Sequence, residues 1–176
     1  MTAETVAEQE IMLCVGDTTF LDYGSIEAKK EGYGPIGKGG NGLILHSTLA
    51  IEPEKGQSLG LLWQKLWNRE PKAKSPKDET PAQKKKRLSS ARKEARNRSF
   101  EQKESYKWVE ALTAVEKLVS RHTRVVHVFD REGDLTEVFA QVRQLQHTGV
   151  IVRAAHNRSL DSLALRMTLK AESTTD

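Results

Sequence analysis

Val125-Val-His-Val-Phe-Asp-Arg-Glu-Gly-Asp134 is the stretch on which the fold turns. Its first five residues form a largely apolar run, long enough for a strand and too short for a buried helix, and the run stops at Asp130. Downstream, Leu135, Val138, Phe139, Val142 and Leu145 recur at helical spacing, with Gly133-Asp134 as the expected cap and Gly149 as the stop. Val150-Ile-Val-Arg-Ala154 then returns to the pattern of a buried strand. Strand, helix, strand in this order is a βαβ unit, which predicts parallel strands covered mostly on both faces.

Working outward, Trp108, Leu112, Val115, Leu118 and Val119 mark a preceding helix that should end near Arg121-His122. Near the start, Ile11-Met-Leu-Cys-Val15 is another apolar strand, ending at Gly16-Asp-Thr-Thr19. The glycine-dense segment from Gly32 to Gly42 reads as a loop. It lacks the Gly-Lys-Ser/Thr ending of a phosphate-binding loop, which argues against nucleotide binding. Leu43 to Ile51 and Ser58 to Trp67 are two further strands, and their short connections favour antiparallel neighbours. The order is βββαβαβ, an α/β chain with a mixed sheet. Residues from Leu160 to Leu169 are periodic without a clear type, and the last five are expected to be disordered.

The chain has 176 residues, 30% of them charged, and a formal net charge of +4. That length suits one domain with an appendage. No apolar run approaches the roughly 20 residues that span a bilayer, and Met1-Thr-Ala-Glu4 does not resemble a secretory leader, so a soluble cytoplasmic protein is expected. A single cysteine, Cys14, excludes an internal disulfide and a cysteine-built zinc site.

The charge is unevenly spread. Residues 68–103 hold 13 Lys and Arg against 5 Asp and Glu, a local +8, which leaves the rest at 15 against 19, or -4. This insert contains Pro71, Pro76 and Pro81, then Lys84, Lys85, Lys86 and Arg87, followed by Arg92, Lys93, Arg96 and Arg98. It has almost nothing to bury. Its first part should be flexible, and its second, free of Pro and Gly after Pro81, suits a polar helix ordered on contact. It reads either as a solvated loop or as an arm that grips phosphates.

Asp17 and Asp130 occupy matching places at the carboxyl ends of two apolar strands, the edge at which ligands bind in open α/β sheets. If those strands pair, two carboxylates become neighbours, and oxygen-only ligands suit Mg²⁺ or Mn²⁺. Such a pair serves in-line phosphoryl transfer with metals about 4 Å apart. Asp is also common after strands as a turn residue, so spacing alone leaves both readings open. His46 and His127 lie inside strand patterns without clustered partners and read as core or surface histidines. Trp63, Trp67 and Trp108 read as core.

Six segments carry a resemblance. They are Gly16-Asp-Thr-Thr-Phe-Leu-Asp-Tyr23, His46-Ser-Thr-Leu-Ala-Ile51, Gly60-Leu-Leu-Trp-Gln-Lys-Leu-Trp67, Glu104-Ser-Tyr-Lys-Trp108, Val128-Phe-Asp-Arg-Glu-Gly-Asp134 and Val150-Ile-Val-Arg-Ala-Ala-His-Asn-Arg158. In order, from about Ile11 to Arg158, they resemble the DDE transposases of bacterial insertion sequences, in the cut-and-paste subgroup whose ribonuclease-H-like core carries a β-insertion. The resemblance implies catalytic, metal-binding aspartates at Asp17 and Asp130. It also implies a sheet of three antiparallel strands followed by two parallel ones, with the first and fourth adjacent. The implied reaction cuts DNA at transposon ends and joins the freed 3′ hydroxyl to target DNA, using Mg²⁺ or Mn²⁺, in an enzyme expected to be a nucleoid-associated homodimer. Arg131, Arg153, His156 and Arg158 would contact phosphates near the site, as would Lys84, Lys85, Lys86 and Arg87 on the insert.

The chain departs from this family at the third acid, and its first strand starts too near Met1 for the helical DNA-end-binding domain expected upstream. The third family acid lies in a pattern Tyr-x-x-Arg-x-x-x-Glu, and the residues three beyond Tyr23, Tyr33 and Tyr106 are Ile26, Ile36 and Val109. Residues 1–160 are therefore expected to be a partial catalytic core, incomplete at its carboxyl end, and 161–176 the start of the insertion domain or a disordered tail. Glu132 and Asp134 are near enough to donate to a metal but are expected to cap a helix. Half a metal site implies little or no strand transfer by this chain alone. The alternatives are a non-catalytic nucleic-acid-binding module and a truncated protein that inhibits transposition.

Overall fold

The computed structural model describes residues 2–26, 31–71, 76 and 78–155. Strand β1 (Ile11–Asp22) follows a short helix α1 (Thr2–Ala7) and sits at the centre of the sheet. It pairs antiparallel with β3 (Gly40–Ile51), from Leu13↔Ile51 to Asp22↔Gly42. On its other side it pairs parallel with β5 (Arg124–Phe129), from Ile11↔Arg124 to Gly16↔Phe129. Strand β4 (Ser58–Trp67) is antiparallel to β3, and β6 (Thr148–Val152) is parallel to β5. The long strands thus run in the order β4-β3-β1-β5-β6, three antiparallel and then two parallel, with the first and fourth long strands adjacent.

Two strand boundaries differ from the sequence reading. β1 does not stop at Gly16, because Asp17 to Asp22 pair with β3 after β5 has ended. The glycine-rich segment is a hairpin, not a loop: β2 (Gly34–Gly37) turns into β3 through Lys38, whose φ is 48°, and Gly39, whose φ is 84°. β2 and β4 share the outer edge of β3.

Side-chain alternation sorts the sheet into two unequal faces. Met12, Cys14 and Gly16 of β1, Ile44, His46, Thr48 and Ala50 of β3, and Val125, His127 and Phe129 of β5 share one face and are buried. Three helices cover it. Val6 of α1 and Val115 of α3 (Lys107–Leu118) close over Met12, Cys14 and Ala50. Trp108 and Leu112 of α3, with Val138 of α4 (Thr136–Val142), close over Phe129. A fully buried side chain such as Leu112 contributes roughly 1.5–3 kcal/mol.

The opposite face is not covered among the described residues, which corrects the expectation of strands buried on both sides. Val126 and Val128 are half-buried there, and Ile151 of β6 is 60% exposed. The helices α1, α3 and α4 all lie on the other face, and α2 (Pro81–Asn97) buries no residue at all. α2 forms because Pro81 opens it and Thr80 caps it: the Thr80 hydroxyl accepts from Gln83 N, and Gln83 Oε1 accepts from Thr80 N at 2.9 Å. No described helix is long and apolar enough to cross a membrane. The segment assigned to 161–176, with His156 and Arg158, lies outside the described residues.

Candidate active site

The last rung between β1 and β5 joins Gly16 to Phe129, so the next residue of each chain segment, Asp17 and Asp130, stands where the two strands part. Both are exposed. Among the described residues the Asp17 carboxylate has no ion-pair or hydrogen-bond partner. Asp130 Oδ1 accepts from Glu132 N at 2.9 Å, which starts a one-turn 3-10 helix over Arg131–Gly133.

Close packing under the two aspartates fixes this edge. A Cβ on Gly16 would lie 2.8 Å from Phe129 Cε1 and 3.1 Å from Trp108 Cζ3, and one on Gly133 would lie 2.6 Å from Phe129 Cβ. The Phe129 ring is therefore wedged beneath both glycines. These glycines were missed as site residues. Each adjoins an aspartate, as Gly16-Asp17 and Gly133-Asp134, and that pairing is the only signal the sequence offered.

Lys107 begins α3 and is 5% exposed, with Nζ 3.1 Å from Glu132 Oε2. Its ammonium lies 5.7 Å from the Trp67 ring and 5.4 Å from the Trp108 ring, within cation–π range. Pairing and ring faces together make a buried ammonium tolerable. Glu132 thus links two groups: its backbone N–H orients Asp130 and its carboxylate anchors Lys107. The sequence reading did not single out Lys107 as a site residue.

His46 is fully buried on β3, with Nδ1 2.9 Å from Thr18 Oγ1 and its ring edge-on to Trp108 at 4.4 Å. Burial and then the Lys107 charge push its pKa down to about 4, against the opposing pull of a backbone hydrogen bond at Asp17 and the Asp130 charge. It is a neutral core histidine at neutral pH, the first of the two placements, core or surface, that the sequence left open. His127 is also fully buried.

Glu132 is engaged by Lys107, and Asp134 turns inward, with Oδ2 accepting from Ala155 N at 2.8 Å. Asp134, a residue only 4% exposed, thereby pins the chain beyond β6. The N-cap position of α4 is Leu135, one residue beyond the expected Gly133-Asp134.

Of the basic candidates, Arg131 follows Asp130 directly, and Arg153 joins the same edge by donating its backbone N–H to Phe129 O at 3.1 Å. Both are exposed. Lys84, Lys85, Lys86 and Arg87 lie apart on α2, where Arg87 pairs with Glu79 at 2.6 Å. No described interaction ties α2 to the two aspartates. Among the described residues no group of three or more His, Cys, Asp or Glu is placed to hold a metal ion. Asp17 and Asp130 supply two hard oxygen donors, which fits Mg²⁺, an ion commonly held by one or two carboxylates together with water and substrate phosphates. No protein-family model matches the sequence.

Proposed function

We propose that this chain is the partial catalytic core of a DDE-type transposase, with a ribonuclease-H-like sheet that presents Asp17 and Asp130 to a divalent cation and to DNA. One observation supports the reading: each aspartate is the residue that follows the last paired rung of parallel β1 and β5, in a sheet whose long strands are ordered β4-β3-β1-β5-β6. The expected reaction is hydrolytic cleavage at transposon ends, followed by attack of the freed 3′ hydroxyl on target DNA. When bound, Mg²⁺ or Mn²⁺ would activate the attacking oxygen and stabilise the leaving one. Asp17 and Asp130 hold the cation, and Arg131 and Arg153 meet the phosphate charge at the same edge.

Mn²⁺ binding followed by electron paramagnetic resonance tests the pair directly. Asp17→Asn and Asp130→Asn should each weaken it at least tenfold, and unchanged binding in both variants would overturn the reading. With two carboxylates the chain should show little or no strand transfer by itself. Robust Mg²⁺-dependent plasmid nicking, lost in Asp130→Asn, would overturn that limit while upholding the pair.

The exposed α2 favours a second reading, a non-catalytic nucleic-acid-binding module. Under it, binding is steeply salt-dependent, indifferent to Mg²⁺, and abolished by neutralising Lys84 to Arg87.

A further inference from the structure

Between the end of β4 and the start of α3 lies an open cleft of about 770 Å³, on the helix-covered side of the sheet and separate from α2's own surface. Its lining includes five cations and three carboxylates, and none of the expected DNA-contacting residues belongs to it. Two features set it apart from ordinary charged surface.

First, two of its five cations are held in place. Arg69 is clamped by Glu104 through Nε at 2.7 Å and a second nitrogen at 2.6 Å, and it lies 5.7 Å from the Phe20 ring. Lys107 is fixed between its glutamate and two tryptophans. Holding long side chains in one geometry removes most of the entropy that a ligand contact would otherwise have to overcome. Second, half-buried rings of Trp67 and Tyr106 line the same cleft. Cations that track a backbone beside aromatic faces are the arrangement that binds single strands.

Arg98, at the end of α2, Lys103 and Lys107 all line the cleft. Lys107 reaches Glu132, whose backbone N–H holds Asp130. The cleft therefore shares Lys107 with the contacts that orient Asp130.

We propose that this cleft seats an unpaired stretch of a DNA strand, with phosphates against Arg98, Lys103 and Arg69 and a base against Trp67 or Tyr106. The inference rests on the DNA-binding part of the reading above and not on its metal chemistry.

The test is fluorescence anisotropy with the full chain in EDTA, using labelled 15-mers of thymidylate, an abasic deoxyribose-phosphate strand, a duplex and uridylate. Wild type should bind thymidylate about tenfold more tightly than the abasic strand, since stacking contributes about 1–3 kcal/mol per base. Arg98→Ala with Lys103→Ala should weaken thymidylate binding about tenfold and lower the slope of log K against log salt by about 1.4, the value for two single-strand phosphates. Both cations are at the surface, so folding is not at issue, and the abasic comparison needs no variant. Equal binding of thymidylate and abasic strands overturns the ring seat. Wild-type affinity in the double variant overturns the cleft, as does no binding of any strand. Preference for the duplex or for uridylate overturns the choice of an unpaired DNA strand. If thymidylate binds through the cleft but Asp17 and Asp130 bind no Mn²⁺, the cleft stands and the catalytic reading falls.

Discussion

His127 is buried in the middle of β5, and neither ring nitrogen has a hydrogen-bond partner among the described residues. A neutral imidazole always carries one donor and one acceptor, so both go unanswered. Burial alone lowers its pKa from 6.5 to about 3. The sign of the linkage follows. Below pH 6.5 the unfolded chain takes up a proton that the native state refuses, so stability rises with pH from about 3 to about 6.5 and is flat above that window. At pH 5 the loss from this residue is about 2 kcal/mol, and His46, lowered to about 4, loses about the same again. Together these approach the whole stability of a marginal domain, about 5 kcal/mol. His127→Leu tests the reasoning, because leucine fills a similar volume and has no polar atom to leave unpaired. At pH 7.5 the variant should be more stable by at least about 1 kcal/mol. Between pH 7.5 and 5.0 it should lose about 2 kcal/mol less than wild type. Urea denaturation at both pH values supplies the four free energies, and the double difference cancels every carboxylate common to both proteins. Identical pH dependence in the two proteins, or a less stable variant at pH 7.5, would refute the argument.

Three other perturbations have defined outcomes. Gly16→Ala drives a Cβ to 2.8 Å from Phe129 and should cost about 1–3 kcal/mol, read as a drop in Tm of about 2–4 °C per kcal/mol. Thr80→Ala removes the capping box of α2 and should lower helical circular dichroism while leaving Tm unchanged, since α2 buries nothing; a fall in Tm would mean that the helix docks on the body. Asp134→Ala leaves Ala155 N without its acceptor and should cost about 1–3 kcal/mol in thermal unfolding, whereas Asp134→Asn, which keeps an oxygen there, should recover much of the loss.

The long strands and α3 were legible because each has an unbroken pattern of the right period. The misread boundaries share a physical cause. Gly16-Asp17 looks like punctuation, yet Thr18, Thr19 and Phe20 are good strand formers, and Ile44 to His46 lie opposite them. Pairing with β3 overrides the local stop signal. In the same way, the glycines after Gly32 mark a loop only if no partner strand exists; β3 provides one, and two residues with positive φ complete the turn. The start of α2 was present in the sequence as Thr80-Pro-Ala-Gln83, a capping box read only as an absence of helix breakers.

The aspartate pair was half legible. Each acid announces itself by following an apolar strand, but no spacing rule makes β1 and β5 neighbours, since their contact closes over more than a hundred residues. What surrounds the pair was not legible at all. Lys107 falls where an amphipathic helix should be polar, and a pattern argument sends it to solvent. It is buried because Trp67 arrives from β4, Trp108 is next to it, and Glu132 arrives from the turn after β5. Three separate elements create that site, and none contains it. The same holds for Phe129, which reads as one more strand residue but is wedged beneath Gly16 and Gly133. Sequence periodicity reports which face a residue prefers, whereas the setting of Asp130 depends on what several elements bring to one point. If that setting matters to cation binding, then Lys107→Met, which keeps the apolar stem and removes the charge, should weaken Mn²⁺ binding several-fold. It should shift Tm little, because Glu132 is 53% exposed and can turn to water. An unchanged Mn²⁺ affinity would mean that Asp130 is held by Glu132 N alone.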